Sequence, residues 1–418
     1  MSERSAARGQ FPGRLALQQR VLPTYRLPFF EALASACQGG LTVFAGQPSA
    51  GESITPVSPS ETGVRTVSGG TEHRSETGVR NLSICFSTNR HWRTPSSPFY
   101  LCWQSHLLKW LAQEQPGALI VEANPRLRST PAAIRWMQAR GRAVLGWGLG
   151  APAPGRGQAV ADARLRRAYR IGRSLTACTD AAWRKGGWPR FLRQFDALIA
   201  YSPLGAEQYR LHGFPAERVF VAPNAVTPRP SAPQPNRPAA LDRPPTVLFV
   251  GRLQARKRID HLLRAAAALP IAVQPRLQVV GDGPARSELQ ALAQAIYPSA
   301  EFPGERTGPD LESYFATADL FVLPGTGGLA VQQAMAHGLP VIAGQGDGTL
   351  DALIRPANGW RVPPSDLPAL TQTLHAALTD IARLRRMGAE SYRIVAEEVN
   401  LELMVTVFIE ALNKCKGC

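Results

Sequence analysis

Gly251-Arg252-Leu253-Gln254-Ala255-Arg256-Lys257 follows directly on the apolar run TVLFV, so it leaves the end of what reads as a buried strand. Cations fixed at such a strand end suit a diphosphate, whose charge grows as it departs in a transfer reaction. In a chain this basic, solvated surface charges are the competing reading. The position after the strand favours chemistry for Arg252 and Lys257, and less so for Arg256 and Arg258. A second segment, Pro324-Gly325-Thr326-Gly327-Gly328-Leu329-Ala330, joins an apolar run to a helical pattern through three glycines. Gly325, Gly327 and Gly328 allow the backbone close to a ligand, and the start of a helix offers free N–H groups to phosphate or sugar oxygens. In the first half Glu122, between ALIV and Asn124-Pro125-Arg126, is the nearest acidic group at a strand end. It suits a catalytic carboxylate, and equally a capping or salt-bridged one.

Other templates fail. Gly281-Asp282-Gly283-Pro284 carries Arg286 where G-x-G-x-x-G needs its third glycine, and Gly146-Trp147-Gly148-Leu149-Gly150 is followed by Ala151. A dinucleotide fingerprint is therefore weak. The chain has no G-x-x-x-x-G-K-[ST] loop, which argues against a P-loop NTPase, and no G-x-S-x-G elbow. It has no D-x-D either, so no bound divalent metal is expected. Cys415 and Cys418 form a C-x-x-C without a second pair to complete a zinc site.

The elements that must position these residues are clearest in the second half. Thr246–Val250, Leu277–Val280, Leu320–Leu323 and Val341–Ala343 read as buried parallel strands. Helical spacing follows at Ile259–Ala266, Ser287–Ala295, Leu311–Ala318 and Ala330–Ala336. This alternation predicts a doubly wound parallel sheet, which binds ligands at the carboxyl ends of its strands. The first half reads similarly, with strands at Leu15–Leu22, Leu41–Ala45, Ala118–Val121, Ala143–Leu145, Ala197–Tyr201 and Val219–Ala222. Helices are predicted at Phe29–Ala36, Leu107–Gln113 and Ala132–Arg140. The proline-rich run 228–245 is the predicted linker between an N-terminal domain, 15–227, and a C-terminal one, 246–395, with a tail at 1–14 and a closing helix and tail at 396–418. Two Rossmann-like α/β domains so joined imply a cleft between them. Residues 47–98, where SETGVR occurs twice, are expected to be irregular and loop-like.

The 418 residues carry a net charge of +16, with 44% hydrophobic and 19% charged side chains, which excludes disorder for most of the chain. Arginine is spread along the sequence instead of forming one stripe, so no nucleic-acid partner is expected. The densest stretch, Arg164 to Arg193, has Trp183, Trp188 and Phe191 among its cations and suits an anionic lipid surface or a solvated basic face. No apolar run is long enough to span a membrane and no signal-like segment opens the chain, so the cytoplasm is expected.

Taken in order, these residues resemble the family-4 glycosyltransferases, which are retaining enzymes of the GT-B fold. The resemblance is strongest over Val219–Pro363. It rests on VFVAPNAV, FVGRLQARKRIDHLL, LQVVGDGPARSEL, FPGERTGPDLESYFATADLFVLP, GGLAVQQAMAHGLPVIA and GDGTLDALIRPANGW, with LPTYRLPFFEAL near the start. It implies a UDP- or GDP-sugar donor, a sugar, lipid-linked or other hydroxyl acceptor, and two domains facing a cleft. Arg252 and Lys257 would hold the donor diphosphate beside Gly251. Gly328 and Leu329 would offer amides, and the Phe302-Pro303-Gly304 backbone would read the base. The family's two glutamates correspond to Gly325 and Gln333; Gln333 keeps hydrogen bonds to ribose, whereas Gly325 has no side chain to grip the sugar. A histidine common in relatives is replaced by Leu149.

Overall fold

The computed structural model describes residues 9–49, 52, 57, 64–67, 70–74, 81–93, 100–152, 187–238, 240–344, 349–351, 353–363 and 365–415. The chain divides into two units, Met1–Ala222 with Met404–Cys418, and Pro223–Leu403.

The first unit contains β1 (Leu15–Val21), β2 (Leu41–Gly46), β3 (Val64–Val67), β4 (Gly70–Arg74), β5 (Leu82–Ser87), β6 (Asn89–Trp92), β7 (Leu101–Gln104), β8 (Ala118–Glu122), β9 (Ala143–Gly148), β10 (Ala197–Ala200) and β11 (Val219–Val221). Nine of them form one sheet in the order β11-β10-β9-β8-β1-β2-β5-β4-β3, while β6 and β7 pair separately. From β11 to β5 the neighbours are parallel; β4 and β3 add antiparallel. Burial explains the change. β1 and β2 are almost wholly buried, as strands covered on both faces must be, whereas LSICFS in β5 alternates buried and half-buried positions. The stretch 47–98 is thus not uniformly loop-like, because β3, β4, β5 and β6 lie in it. The short, polar β3 and β4 gave no hydrophobic period to read. Repeat residues 60–63 and 75–80 lie outside the described residues.

The second unit holds β12 (Thr246–Val250), β13 (Arg276–Val280), β14 (Glu301–Gly304), β15 (Leu320–Leu323), β16 (Val341–Gly344) and β17 (Gly359–Val362), all parallel in the order β14-β13-β12-β15-β16-β17. Strand order reverses between β12 and β15, which makes their carboxyl ends the switch point of the sheet. The parallel strands of the first unit reverse in the same way between β1 and β8.

The proline-rich segment 228–245 lies within the second unit and is fastened by other elements. Arg237 donates to the carbonyls of Phe315 and His337, each at 3.0 Å, and Arg385 Nε donates to Pro238 O at 2.7 Å. Prolines supply no N–H, so the segment is held by arginine side chains, its own Arg237 and, from a later helix, Arg385, bonding to backbone carbonyls. Asp319, 1% exposed, accepts from Arg243, Arg385 and the Thr246 N–H, each at 2.8 Å. The closing helix, Leu401–Cys415, sets Phe408 against Phe29 and Trp147 with ring centroids 5.0 Å apart in both cases. Among the described residues no helix is long and apolar enough to cross a membrane. Residues 164–186 of the basic stretch lie outside the described residues. Phe191 is a core residue, 5% exposed, and so is not available to a lipid surface.

Candidate functional site

At the switch point of the second unit, Ala255–Lys257 forms a single 3-10 turn after β12. It delivers Lys257 Nζ to the carbonyl oxygens of Thr326 and Gly327, 3.0 Å from each. The Thr326 N–H returns a bond to Arg256 O at 3.2 Å, so the loops after β12 and β15 are stitched together. Lys257 is 7% exposed. Burial, aided by the positive charge of Arg256, pushes its ammonium down to about 8. An ammonium has three donors, and the two carbonyls use two of them. Lys257 and the backbone of Gly325 and Gly327 are therefore neighbours, whereas Arg252 is exposed on the loop beyond Gly251.

Gly325 is buried, and a Cβ placed on it would sit 2.1 Å from Arg256 O and 2.5 Å from Lys257 Cα. The turn that carries the lysine fills the space of any side chain at 325. Gly325→Ala is expected to cost roughly 1–3 kcal/mol by overpacking, and Gly325→Glu not to raise activity; chemical denaturation beside an assay checks both. A glutamate variant as stable and more active would contradict the packing.

The other expected ligand-facing residues occupy neighbouring strand ends. Gly328 and Leu329 immediately precede the helix Ala330–Ala336. Phe302, Pro303 and Gly304 close β14. Gly281 has φ +136, and a Cβ there would lie 2.1 Å from Gly251 O, so only glycine admits this close approach. Arg286, the residue that spoils the G-x-G-x-x-G template, has a structural use. It donates to Phe302 O at 3.1 Å and faces Asp282 at 3.6 Å, tying β13 to β14. Gln333 is half-buried; the deeply placed glutamine is its neighbour Gln332, 3% exposed. Gln332 accepts from Val226 N at 2.9 Å and donates to Asn224 O, fixing the loop after VFVA. Nothing local in the sequence separated these adjacent glutamines. His337 stacks on Phe315, and Asp351 pairs with Arg361 at 2.7 Å.

The first unit has a cavity of about 580 Å³ at its own switch point, lined from the ends of β1, β8, β9 and β10. Glu122 is one wall. Its Oε1 accepts the Arg20 N–H at 2.7 Å, and burial raises its carboxyl above the ordinary value despite that bond and the charges of Arg20 and Arg26. Tyr25, Trp147, Trp188 and Tyr201 supply aromatic faces, and Leu149 lies at the rim, 52% exposed. Arg20 is neutralised by two bonds to Glu52 at 2.9 and 2.8 Å. Arg26, missed in the sequence, also lines the cavity. No group of three His, Cys, Asp or Glu side chains suited to a metal occurs among the described residues.

Residues 244–380, which contain this lysine–glycine corner, match the family described as Glycosyl transferases group 1. The second unit carries a group 1 glycosyl transferase domain. Similar curated proteins include a GDP-mannose-dependent alpha-mannosyltransferase of Mycolicibacterium smegmatis, 32% identical over 53% of this chain and 57% of that protein. Another is a GDP-mannose-dependent monoacylated alpha-(1-6)-phosphatidylinositol monomannoside mannosyltransferase of Corynebacterium glutamicum, 34% identical over 39% and 45%. The chain thus spans about half the length of the curated relatives it matches. Among solved structures, Anabaena HepE in complex with UDP superposes with TM-score 0.63 at 15% identity, covering 96% of this chain and 99% of that one. Sucrose-phosphate synthase from Thermosynechococcus elongatus gives 0.62 at 20%, covering 97% and 99%. At these identities the likeness is one of fold: two α/β units with parallel sheets, of the GT-B type, one of them the group 1 domain.

Proposed function

We propose that this protein is a retaining glycosyltransferase of family 4, moving a sugar from a UDP- or GDP-sugar to an acceptor hydroxyl in polysaccharide or glycolipid synthesis. The observation that carries this reading is Lys257, fixed to the glycine corner at the switch point of the group 1 domain. Lys257 and Arg252 meet the donor diphosphate, the amides of Gly328 and Leu329 meet its oxygens, the Phe302–Gly304 backbone meets the base, and Gln333 the ribose. The acceptor oxygen bonds to the anomeric carbon as the carbon–oxygen bond to the diphosphate breaks on the same face. The acceptor proton passes to a leaving phosphate oxygen, so no enzymic nucleophile is needed. Catalysis then comes from positioning and from charge stabilisation of the leaving group.

A screen of nucleotide sugars for thermal stabilisation tests donor binding, because a ligand held only by the folded state raises its melting point. No stabilisation by any UDP- or GDP-sugar would sink the reading. Anomeric NMR of the product tests retention, and an inverted product overturns it. The lysine and amides supply positive charge at the diphosphate, so activity is expected to persist in EDTA; loss with rescue by a divalent ion contradicts this. The protein is placed at the cytoplasmic face of the membrane, its basic stretch touching anionic lipid. Sedimentation with phosphatidylglycerol but not phosphatidylcholine vesicles checks that placement, and equal sedimentation rejects it.

Glu122 is assigned to hold the acceptor hydroxyl by accepting its hydrogen bond, which requires the ionised carboxylate. Since burial raises its pKa, the acid limb of the rate–pH profile is expected above the usual glutamate value of about 4.3. That limb should vanish in Glu122→Gln. A limb unchanged in the variant removes Glu122 from the site.

A further inference from the structure

One cation in the first unit's cavity has donors that meet no hydrogen-bond partner among the described residues. Arg26 is 5% exposed, yet it forms no ion pair with any described carboxylate. Its Nη2 donates to Tyr201 Oη at 3.2 Å, while Nε and Nη1 are shielded from water and have no hydrogen-bond partner among the described residues. Three rings surround the guanidinium, with Trp147 4.5 Å, Tyr201 5.5 Å and Tyr25 5.6 Å from its central carbon. Aromatic faces attract a cation, but they leave in-plane N–H donors unmatched. Glu122 interacts with Arg26 only through space, its Oε1 accepting the Arg20 N–H instead. Neighbouring Arg20 shows the contrast, since Glu52 neutralises it within the fold. A buried charge with free donors is costly to keep unless something pairs with it.

We propose that Arg26 is the recognition site for an anionic group, phosphate or carboxylate, borne by the hydroxylated molecule that enters this cavity. Guanidinium is the side chain suited to such oxygens, and the aromatic walls suit the faces of a sugar or polyol ring. Tyr25, 45% exposed, is the one surrounding ring free to turn aside and uncover the donors. That the molecule is a glycosyl acceptor rests on the transferase reading; the anion site does not.

The test is calorimetry on the full chain with UDP or GDP saturating, so that phosphate sites of the second unit are already filled. The probes are glucose, glucose 6-phosphate, glucuronate and glycerophosphoglycerol. At least one charged probe is expected to bind about tenfold or more tighter than glucose. Which one tells whether the anion is a sugar phosphate, a uronic acid or a lipid headgroup. Arg26→Gln should bring that probe down to the level of glucose with nucleotide affinity unchanged. Charged and neutral probes binding alike to the unaltered protein overturns the proposal without any variant having to fold, as does a preference that survives Arg26→Gln. Failure of both nucleotides to bind counts against the transferase reading instead, and the comparison of probes still decides Arg26.

Discussion

Lys257→Ala is expected to lower kcat/KM for transfer roughly 10²–10³-fold, the range seen when one donor to a developing oxyanion is removed. Two effects add. The diphosphate loses a cation that is held in place before it arrives, and the carbonyls of Thr326 and Gly327 lose the donor that joins their loop to the β12 turn. A pH series separates this from mere misfolding. With the ammonium at about 8 in the free protein, Lys257 is a cation below that pH and neutral above it. Binding an anion raises the lysine's pKa, so affinity for UDP or GDP should be full below about 8 and then decline, by up to about tenfold per pH unit. The alanine variant should show a low affinity that does not change through this range. Unaltered nucleotide affinity in the variant would remove Lys257 from the donor site.

Asp319→Ala is expected to destabilise the second unit by about 3 kcal/mol, chiefly the cost of leaving the buried Arg385 without its partner, since Arg243 is 42% exposed at its side chain and can be solvated. Arg385 is 12% exposed at its side chain, and the Thr246 N–H also loses its acceptor. The pH dependence has a definite sign. Burial alone would raise the Asp319 carboxyl, but the Thr246 N–H, Arg385 and Arg243 outweigh it and hold it below the ordinary aspartate value. Its contribution is therefore present above the unfolded value of about 3.9 and is lost as pH falls through the lower folded one. Urea denaturation of both proteins between neutral and acid pH should show the gap closing as the pH drops. A gap near zero at neutral pH would mean that the arginines find other partners.

The sequence by itself determined four of the second unit's strands, β12, β13, β15 and β16, but not β14 or β17, whose EFPG and GWRV are not apolar runs. Thr246–Val250, Leu320–Leu323 and Ala330–Ala336 are strands and helix at the bounds read from their pattern. Strands buried on both faces must be continuous apolar runs, and glycines mark where they end, so these elements are written locally. It also marked Lys257 and the glycines of 325–328 as belonging to strand ends. Only the tertiary structure decided which groups meet. The order β14-β13-β12-β15 sets the turn after β12 against the corner after β15, and no local pattern encodes an order of strands. This juxtaposition fills the space beside Gly325 with backbone, the pairing of β13 with β14 gives Arg286 a carbonyl to hold, and the 224–226 loop takes both ends of the Gln332 amide. In the first unit the same reversal between β1 and β8 puts Glu122 on the backbone of Arg20. Arg26 reads in the sequence as one arginine among many; that its Nε and Nη1 are buried with no hydrogen-bond partner among the described residues appears only when Trp147 and Tyr201, far away in sequence, close around it.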